Sequence, residues 1–138
     1  MLATLLIGLG AGVILMLGLV HLLYTFVGTK LLPRDAALHA AMQEDSPKLT
    51  RQTTMWRAWV GFNASHSMGA ILFGLVYIHL AVWQAALLFG SPFLCGLGVL
   101  YLLGYSWLGW HYWFSVPFRG IALATLLFIA GVAVGMLG

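Results

Sequence analysis

Charged residues are scarce in this sequence: among 138 residues, Lys and Arg together number 6 and Asp and Glu number 3, or 7% of the chain. A basic nucleic-acid-binding surface is therefore excluded, and no nucleic-acid partner is expected. Hydrophobic residues instead make up 62% of the chain, and the mean hydropathy is +1.01. A soluble domain of this size does not have such a composition, so the sequence predicts an integral membrane protein.

The sequence is also poor in cysteine, and its apolar runs contain no carboxylate. Cys95 is the single cysteine, which excludes an internal disulfide and a cysteine-based metal cluster. The acidic residues all lie between positions 30 and 54, outside the apolar runs. Because the apolar runs carry no carboxylate ligands, no metal site is expected.

Four apolar runs predict an all-α membrane protein, a four-helix transmembrane bundle forming one domain over residues 1–138. We expect the first run to be a retained span, because it is longer than a signal-peptide core and no basic residue precedes it. Ser91-Pro92 is typical of a helix start, and Ser115-Val116-Pro117 predicts a tight turn. The predicted spans are about 2–28, 55–80, 92–113 and 119–137.

The hydrophilic region 30–54 fixes the expected topology. It is predicted to hold one short helix from Arg34 to Glu44, ended by Ser46-Pro47. This loop and its borders carry five of the six basic residues, and Arg119 precedes the last span. The positive-inside rule places both in the cytoplasm, and both termini and an expected turn at 80–91 on the other side. We therefore predict a multi-pass protein in contact with membrane lipids, in the inner or plasma membrane if the source is bacterial.

The second span is unusual because it carries polar side chains on one helical face. His66 lies about 14 Å beyond Arg57, close to the middle of a bilayer. Amides, hydroxyls and imidazoles at that depth are unfavourable unless they face protein or water. We expect this face to point into the bundle; its members are Asn63, His66, Ser67, Ala70, Gly74 and Tyr77.

His21 of the first span and His66 are predicted to lie at similar depth, each nine residues from a basic residue at the loop border. A single haem between them is compatible with this spacing, but two lone histidines are weak evidence and haem is the least favoured alternative. His79 is expected to snorkel at the outer border, and His39 to be solvated in the loop.

Two segments resemble a known family. Arg57-Ala58 to Asn63-Ala64-Ser65-His66 resembles the R-A…N-x-x-E signature of the MAPEG proteins, the membrane-associated proteins of eicosanoid and glutathione metabolism. The run from His111-Tyr112 to Val116-Pro117-Phe118-Arg119 is similar to the junction between their third and fourth helices. The four-span topology agrees with the family, whereas the family's acidic residue is His66 here.

The resemblance implies a homotrimer that holds glutathione at its subunit interfaces beside a lipophilic small molecule, near the cytoplasmic side. Arg57 and Arg119 would then be catalytic, by activating the glutathione thiol or pairing with its carboxylates. Contacts with the cofactor would come from Asn63, His66, His111 and Tyr112.

Two readings of function stay open at this point. The first is a MAPEG-like enzyme that transfers a thiol to a lipophilic substrate or reduces it. The second is a non-catalytic four-helix protein, either a lipophile binder or an accessory subunit of a membrane complex. In the second reading, Asn63, His66 and Ser67 serve as hydrogen-bonding groups between helices.

Overall fold

A computed structural model describes residues 1–137 and contains, over that range, helices and no strand. The all-helical prediction is therefore confirmed. The six helices are α1 (Leu2–Phe26), α2 (Ala36–Glu44), α3 (Met55–Trp83), α4 (Ala85–Gly90), α5 (Pro92–Tyr112) and α6 (Ser115–Leu137).

Four of these helices are long and apolar enough to cross a membrane: α1, α3, α5 and α6, with 25, 29, 21 and 23 residues. At about 1.5 Å per residue, each is at least as long as a hydrocarbon core of about 30 Å. The predicted number of helices able to span a membrane is therefore confirmed. The second span extends three residues beyond its predicted end at residue 80, to Trp83.

Two helices begin at residues whose side chains cap the helix N-terminus. Ser91 caps α5 by accepting a hydrogen bond from the Leu94 amide through its side chain, and Pro92 occupies the first turn. Asp35 caps α2 in the same way, accepting from the Ala37 amide at 2.9 Å. Both helices therefore begin close to where the sequence predicts them.

Two local predictions were wrong. The turn expected at Ser115-Val116-Pro117 is the first turn of α6, because proline is tolerated there, where no intrahelical partner for its nitrogen is needed. The break lies instead at residues 113–114. The apolar segment after α3 was expected to be a turn, but Ala85–Gly90 forms the short helix α4.

The chain divides into two compact units. We call residues 1–17 and 70–137 the core unit, and Gly18–Gly69 the polar unit. Helices α1 and α3 contribute residues to both. That the chain is a single domain stays a prediction.

Helices of the core unit approach closely where glycine replaces a side chain. A Cβ at Gly10 would lie 2.8 Å from the Ala124 carbonyl oxygen of α6, and one at Gly74 would lie 2.9 Å from the Ala11 carbonyl oxygen of α1. Such distances leave no room for a methyl group. By contrast, a Cβ at Gly8 or Gly12 would meet nothing within 4 Å. The close contact of α1 with α6 therefore uses Gly10, and not Gly8 and Gly12, which are four residues apart as in a small-xxx-small pair.

Aromatic rings fill the rest of the core unit. Phe73 of α3 stacks on Tyr101 of α5 with ring centroids 4.5 Å apart, and Tyr101 stacks on Tyr105 at 4.6 Å. Tyr77 meets Phe128 of α6 edge to face at 5.0 Å and donates a hydrogen bond to the Leu94 carbonyl. Phe128 is fully buried. Tyr101 and Tyr105 of α5 are thus packing residues of this unit.

Candidate functional site

A group of polar side chains within the candidate spans lies in the polar unit, where α1 contributes His21 and α3 contributes Asn63 and His66. His21 Nε2 lies 2.9 Å from the Asn63 Oδ1 atom, and the His21 and His66 rings meet edge to face with centroids 5.5 Å apart. His21 and His66 are therefore neighbours, and their depth in a membrane stays a prediction. We call His21, Asn63 and His66 the imidazole–amide cluster.

The orientation of the Asn63 side chain is fixed by its second hydrogen bond. Its Nδ2 group donates to the Trp59 carbonyl oxygen, one turn earlier in α3, at 2.8 Å. A carbonyl oxygen can only accept, so the nitrogen of the amide must face Trp59. The oxygen of the amide then faces His21 and accepts a hydrogen bond from its Nε2–H group.

Neighbouring hydroxyls bond to backbone carbonyl groups of the cluster residues. Ser67 is fully buried and donates to the Asn63 carbonyl oxygen at 2.8 Å. Thr25 donates to the His21 carbonyl oxygen, also at 2.8 Å. Both bonds stay within one helix, so α1 and α3 meet here through the histidine and the asparagine.

The cluster is half-buried. Asn63 and His66 have intermediate exposure, and the preceding turn carries Trp59, whose side chain is 44% exposed. The Trp59 indole donates to the Leu31 carbonyl oxygen at 3.3 Å. The predicted polar face of α3 is thus enclosed on its Ser67 side while its outer edge remains accessible.

Arg57, the first predicted catalytic residue, lies in the first turn of α3. Its side chain is exposed, and its backbone amide donates to the Thr54 hydroxyl at 3.3 Å. Arg57 precedes Asn63 by six residues, which is about 9 Å along the helix axis. Three predicted site residues, Arg57, Asn63 and His66, therefore belong to one helix of the polar unit.

The other predicted site residues belong to the core unit. His111 and Tyr112 end α5, and Arg119 lies in the second turn of α6; all three are exposed. His111 Nδ1 donates to the Trp107 carbonyl oxygen at 2.8 Å, and its ring lies 4.6 Å from the Trp107 ring. His111 and Tyr112 have ring centroids 6.2 Å apart.

His39 corrects one expectation. The sequence predicts a solvated loop histidine, but its ring packs edge to face on Trp56 with centroids 4.5 Å apart, and its Nε2 atom is enclosed. This contact joins α2 to the start of α3. Helical periodicity agrees with this contact, because most residues of α2 are exposed while His39 and Met42, three residues apart, lie on one half-buried face.

The arrangement of ring nitrogens in the cluster determines whether a metal ion or a haem iron would fit there. Among residues 1–137, no group of three or more His, Cys, Asp or Glu is placed to hold a metal ion. A haem iron between His21 and His66 would need a ring nitrogen from each, whereas His21 Nε2 faces the Asn63 amide oxygen. The cluster in this arrangement suits an organic hydrogen-bonding group better than a metal.

Comparisons with protein-family models, with curated proteins and with solved structures gave no match to this chain. The resemblance to the MAPEG family therefore depends on the short segments in α3 and at the junction of α5 with α6, and it stays a prediction.

Proposed function

We propose that this chain is a multi-pass membrane protein with the polar loop between α1 and α3 in the cytoplasm and both termini on the opposite side. The length of α1, α3, α5 and α6 supports insertion. The basic residues support this orientation because they concentrate in the loop and its borders.

The orientation is tested with single cysteines in a Cys95→Ala background, since Cys95 is buried. Gln43→Cys reports on α2, and Gln84→Cys reports on the exposed position between α3 and α4. In intact cells, a membrane-impermeant maleimide should label Gln84→Cys, and Gln43→Cys only after permeabilisation. The reverse pattern would contradict the orientation.

We further propose that the imidazole–amide cluster binds a small lipophilic molecule with a polar head. The observation that carries this proposal is the His21–Asn63 hydrogen bond of 2.9 Å at a half-buried position within two candidate spans. Polar side chains in spans usually mark a binding site or a path, because their burial is unfavourable without a partner. Here α1 and α3 hold three of them at an accessible edge.

The alternative role for the same residues is helix association. An interhelical hydrogen bond in a membrane typically contributes about 0.6–2 kcal/mol. His66 distinguishes the two roles because the His21–Asn63 bond joins α1 to α3 without it. In a binding site, His66→Ala reduces ligand binding and leaves the fold and assembly intact. In a packing role, the same change would loosen the fold or the assembly instead.

A photoreactive long-chain alcohol carrying a diazirine near its hydroxyl tests the site directly. We expect saturable crosslinking within residues 55–69, reduced about tenfold by His66→Ala, which corresponds to a hydrogen bond of about 1.4 kcal/mol. Ser65→Ala is the matched control, because Ser65 is exposed and bonds only to the Phe62 carbonyl of its own helix. Crosslinking that is unaffected by His66→Ala would rule out the site.

A thiol-dependent reaction is the second candidate, and the exposed Arg57 on the helix that carries Asn63 and His66 favours it. A guanidinium near a thiol stabilises the thiolate, which is the reactive form. In this candidate glutathione is the cofactor, the protein is a homotrimer, and Arg119, His111 and Tyr112 act at subunit interfaces, as in the MAPEG resemblance.

Three measurements test this second candidate. Calorimetry should detect glutathione binding, a model electrophile should be conjugated, and the mass of the detergent-solubilised protein should correspond to three chains. Arg57→Ala should abolish conjugation while preserving the trimer. Absence of both glutathione binding and conjugation would eliminate the thiol reaction and leave the lipophile site untouched.

A further inference from the structure

Three aromatic side chains contact one another at the end of α5, in the core unit. The centroid of the His111 ring lies 4.6 Å from that of Trp107 and 6.2 Å from that of Tyr112, and the Trp107 and Tyr112 centroids are 6.1 Å apart. All three residues are exposed, Trp107 to 56% and Tyr112 to 72%. We call Trp107, His111 and Tyr112 the aromatic corner.

The ring planes of the aromatic corner are inclined to one another. The planes of Trp107 and Tyr112 meet at 74°, and the His111 plane is tilted by 38° and 45° to them, so it lies between the two. The space inside a corner of two nearly perpendicular rings borders on a face of each ring. His111 Nδ1 donates to the Trp107 carbonyl oxygen at 2.8 Å, which holds the third ring in its place.

The chemistry of these rings favours a cation without N–H groups. The face of an aromatic ring attracts a cation that lies within about 6 Å of its centroid, and centroids 6.1 Å apart allow one cation to lie that close to both Trp107 and Tyr112. A primary ammonium also needs acceptors for its three N–H groups, but the acidic residues of the chain all lie between Asp35 and Asp45, outside the core unit. A quaternary ammonium needs no acceptor and is bound by ring faces alone.

We propose that the aromatic corner binds a quaternary ammonium group such as the trimethylammonium of choline. This group occurs on free molecules and on the headgroups of choline lipids, and aromatic residues at the end of a span lie at the level of lipid headgroups. The binding is non-covalent. The inference uses no residue of the imidazole–amide cluster, so its test is independent of the proposed lipophile site.

Binding of the free group is measured by saturation-transfer NMR, with the full chain in nanodiscs of phosphatidylglycerol at mildly alkaline pH. The two probes are choline and its neutral analogue, in which a carbon atom replaces the nitrogen. We expect saturable binding of choline and none of the analogue. Trp107→Leu should weaken choline binding about fivefold, which corresponds to about 1 kcal/mol for one cation–π contact. Equal binding of both probes would overturn the proposal, because an apolar patch does not distinguish them.

Trp110→Leu is the matched control. Trp110 is 70% exposed near the same end of α5, but its ring packs on Phe118 with centroids 5.4 Å apart. This variant should bind choline as the wild type does, whereas Tyr112→Leu should weaken binding and Tyr112→Phe, which keeps the ring, should retain it. Circular dichroism checks the helix content of each variant. Equal losses in Trp107→Leu and Trp110→Leu would indicate an ordinary aromatic belt and overturn the site.

The lipid source is tested by reconstituting the protein with equal amounts of phosphatidylcholine, phosphatidylethanolamine and phosphatidylglycerol, and by measuring the lipids that it retains on solubilisation. A lipid ligand predicts that phosphatidylcholine is enriched over phosphatidylethanolamine in the wild type and Trp110→Leu but not in Trp107→Leu. Choline binding without this enrichment would assign a soluble ligand to the aromatic corner, and enrichment without choline binding would assign a lipid. Absence of both would overturn the proposal.

Discussion

The core unit and the polar unit differ in the side chains that lie where α1 meets its neighbours. In the core unit, α1 contacts α6 through Gly10 and Ala124, and the rings of Phe73, Tyr101 and Phe128 pack together. In the polar unit, α1 meets α3 through side-chain hydrogen bonding. Packed rings and glycines offer few hydrogen-bonding groups, whereas an imidazole and an amide within a candidate span can form hydrogen bonds with a ligand.

The buried polar side chains sharpen this comparison, since the described residues include one in each unit, Thr125 and Ser67. Thr125 of α6 pairs with Ser106 of α5 at 2.9 Å and also bonds to the Ile121 carbonyl, so it links two helices. Ser67 bonds only within α3, to the carbonyl of Asn63. The buried hydroxyl of the core unit therefore joins α5 to α6 by a hydrogen bond, whereas that of the polar unit bonds within α3 to the residue that faces His21.

Removing the central ring of the core unit should have the largest effect on stability. Phe128 is fully buried and contacts both Phe73 and Tyr77. Phe128→Ala should lower the free energy of unfolding by about 3–5 kcal/mol through the cavity that it leaves. The readout is helix content in mixed micelles during titration with SDS. Phe93→Ala, at a ring that is 73% exposed, is the control and should have little effect.

Two glycines of α1, two residues apart, provide the next test. Gly10→Ala should lower the free energy of unfolding by about 1–3 kcal/mol, because its Cβ would press on the Ala124 carbonyl oxygen. Gly12→Ala meets nothing within 4 Å and should be neutral or stabilise the helix by up to about 1 kcal/mol. The same SDS titration compares the two. Equal losses in both variants would mean that α1 and α6 do not approach at Gly10.

In the polar unit, Asn63→Leu should lower the stability modestly and abolish ligand binding. It removes the partner of His21 and one bond to the Trp59 carbonyl, which predicts a loss of about 1–2 kcal/mol. Crosslinking by the photoreactive alcohol should fall to background in the same variant. A loss of stability as large as that of Phe128→Ala would show that the cluster is a packing element after all.

The smallest effect is expected in the loop. His39→Phe keeps a ring against Trp56 and removes an enclosed nitrogen, so stability should stay within about 0.5 kcal/mol of the wild type or rise slightly. His39→Ala removes the ring contact as well and should lower stability by about 0.5–1.5 kcal/mol. Identical results for both variants would show that the ring contact contributes nothing.

The sequence predicted the fold because its main determinants are local. The Ser91-Pro92 start acts within one turn and apolar length acts within one helix, and the structure follows both. The start of α6 was mispredicted because Pro117 was interpreted as a helix breaker, although a helix accepts proline in its first turn. Helix α4 was missed because a six-residue helix has too few turns for a periodic pattern.

The candidate site could be predicted only in part. The shared face of Asn63 and His66 follows from helical periodicity, and the proximity of His21 to His66 agrees with their equal distances in sequence from the basic loop borders. The contact of His39 with Trp56 depends on tertiary packing of α2, which single-sequence periodicity does not encode. The link from Arg57 to glutathione comes from the family resemblance alone, and so it stays a prediction.

The central claim, that the imidazole–amide cluster holds a lipophile, is tested most directly by what the protein carries out of the membrane. Organic extracts of purified wild type, Asn63→Leu and Phe93→Ala, analysed by liquid chromatography and mass spectrometry, would be compared at equal protein amounts. The account predicts a lipophilic species with a polar head that is enriched in wild type and Phe93→Ala and lost from Asn63→Leu. Extracts that are identical for all three proteins would contradict it.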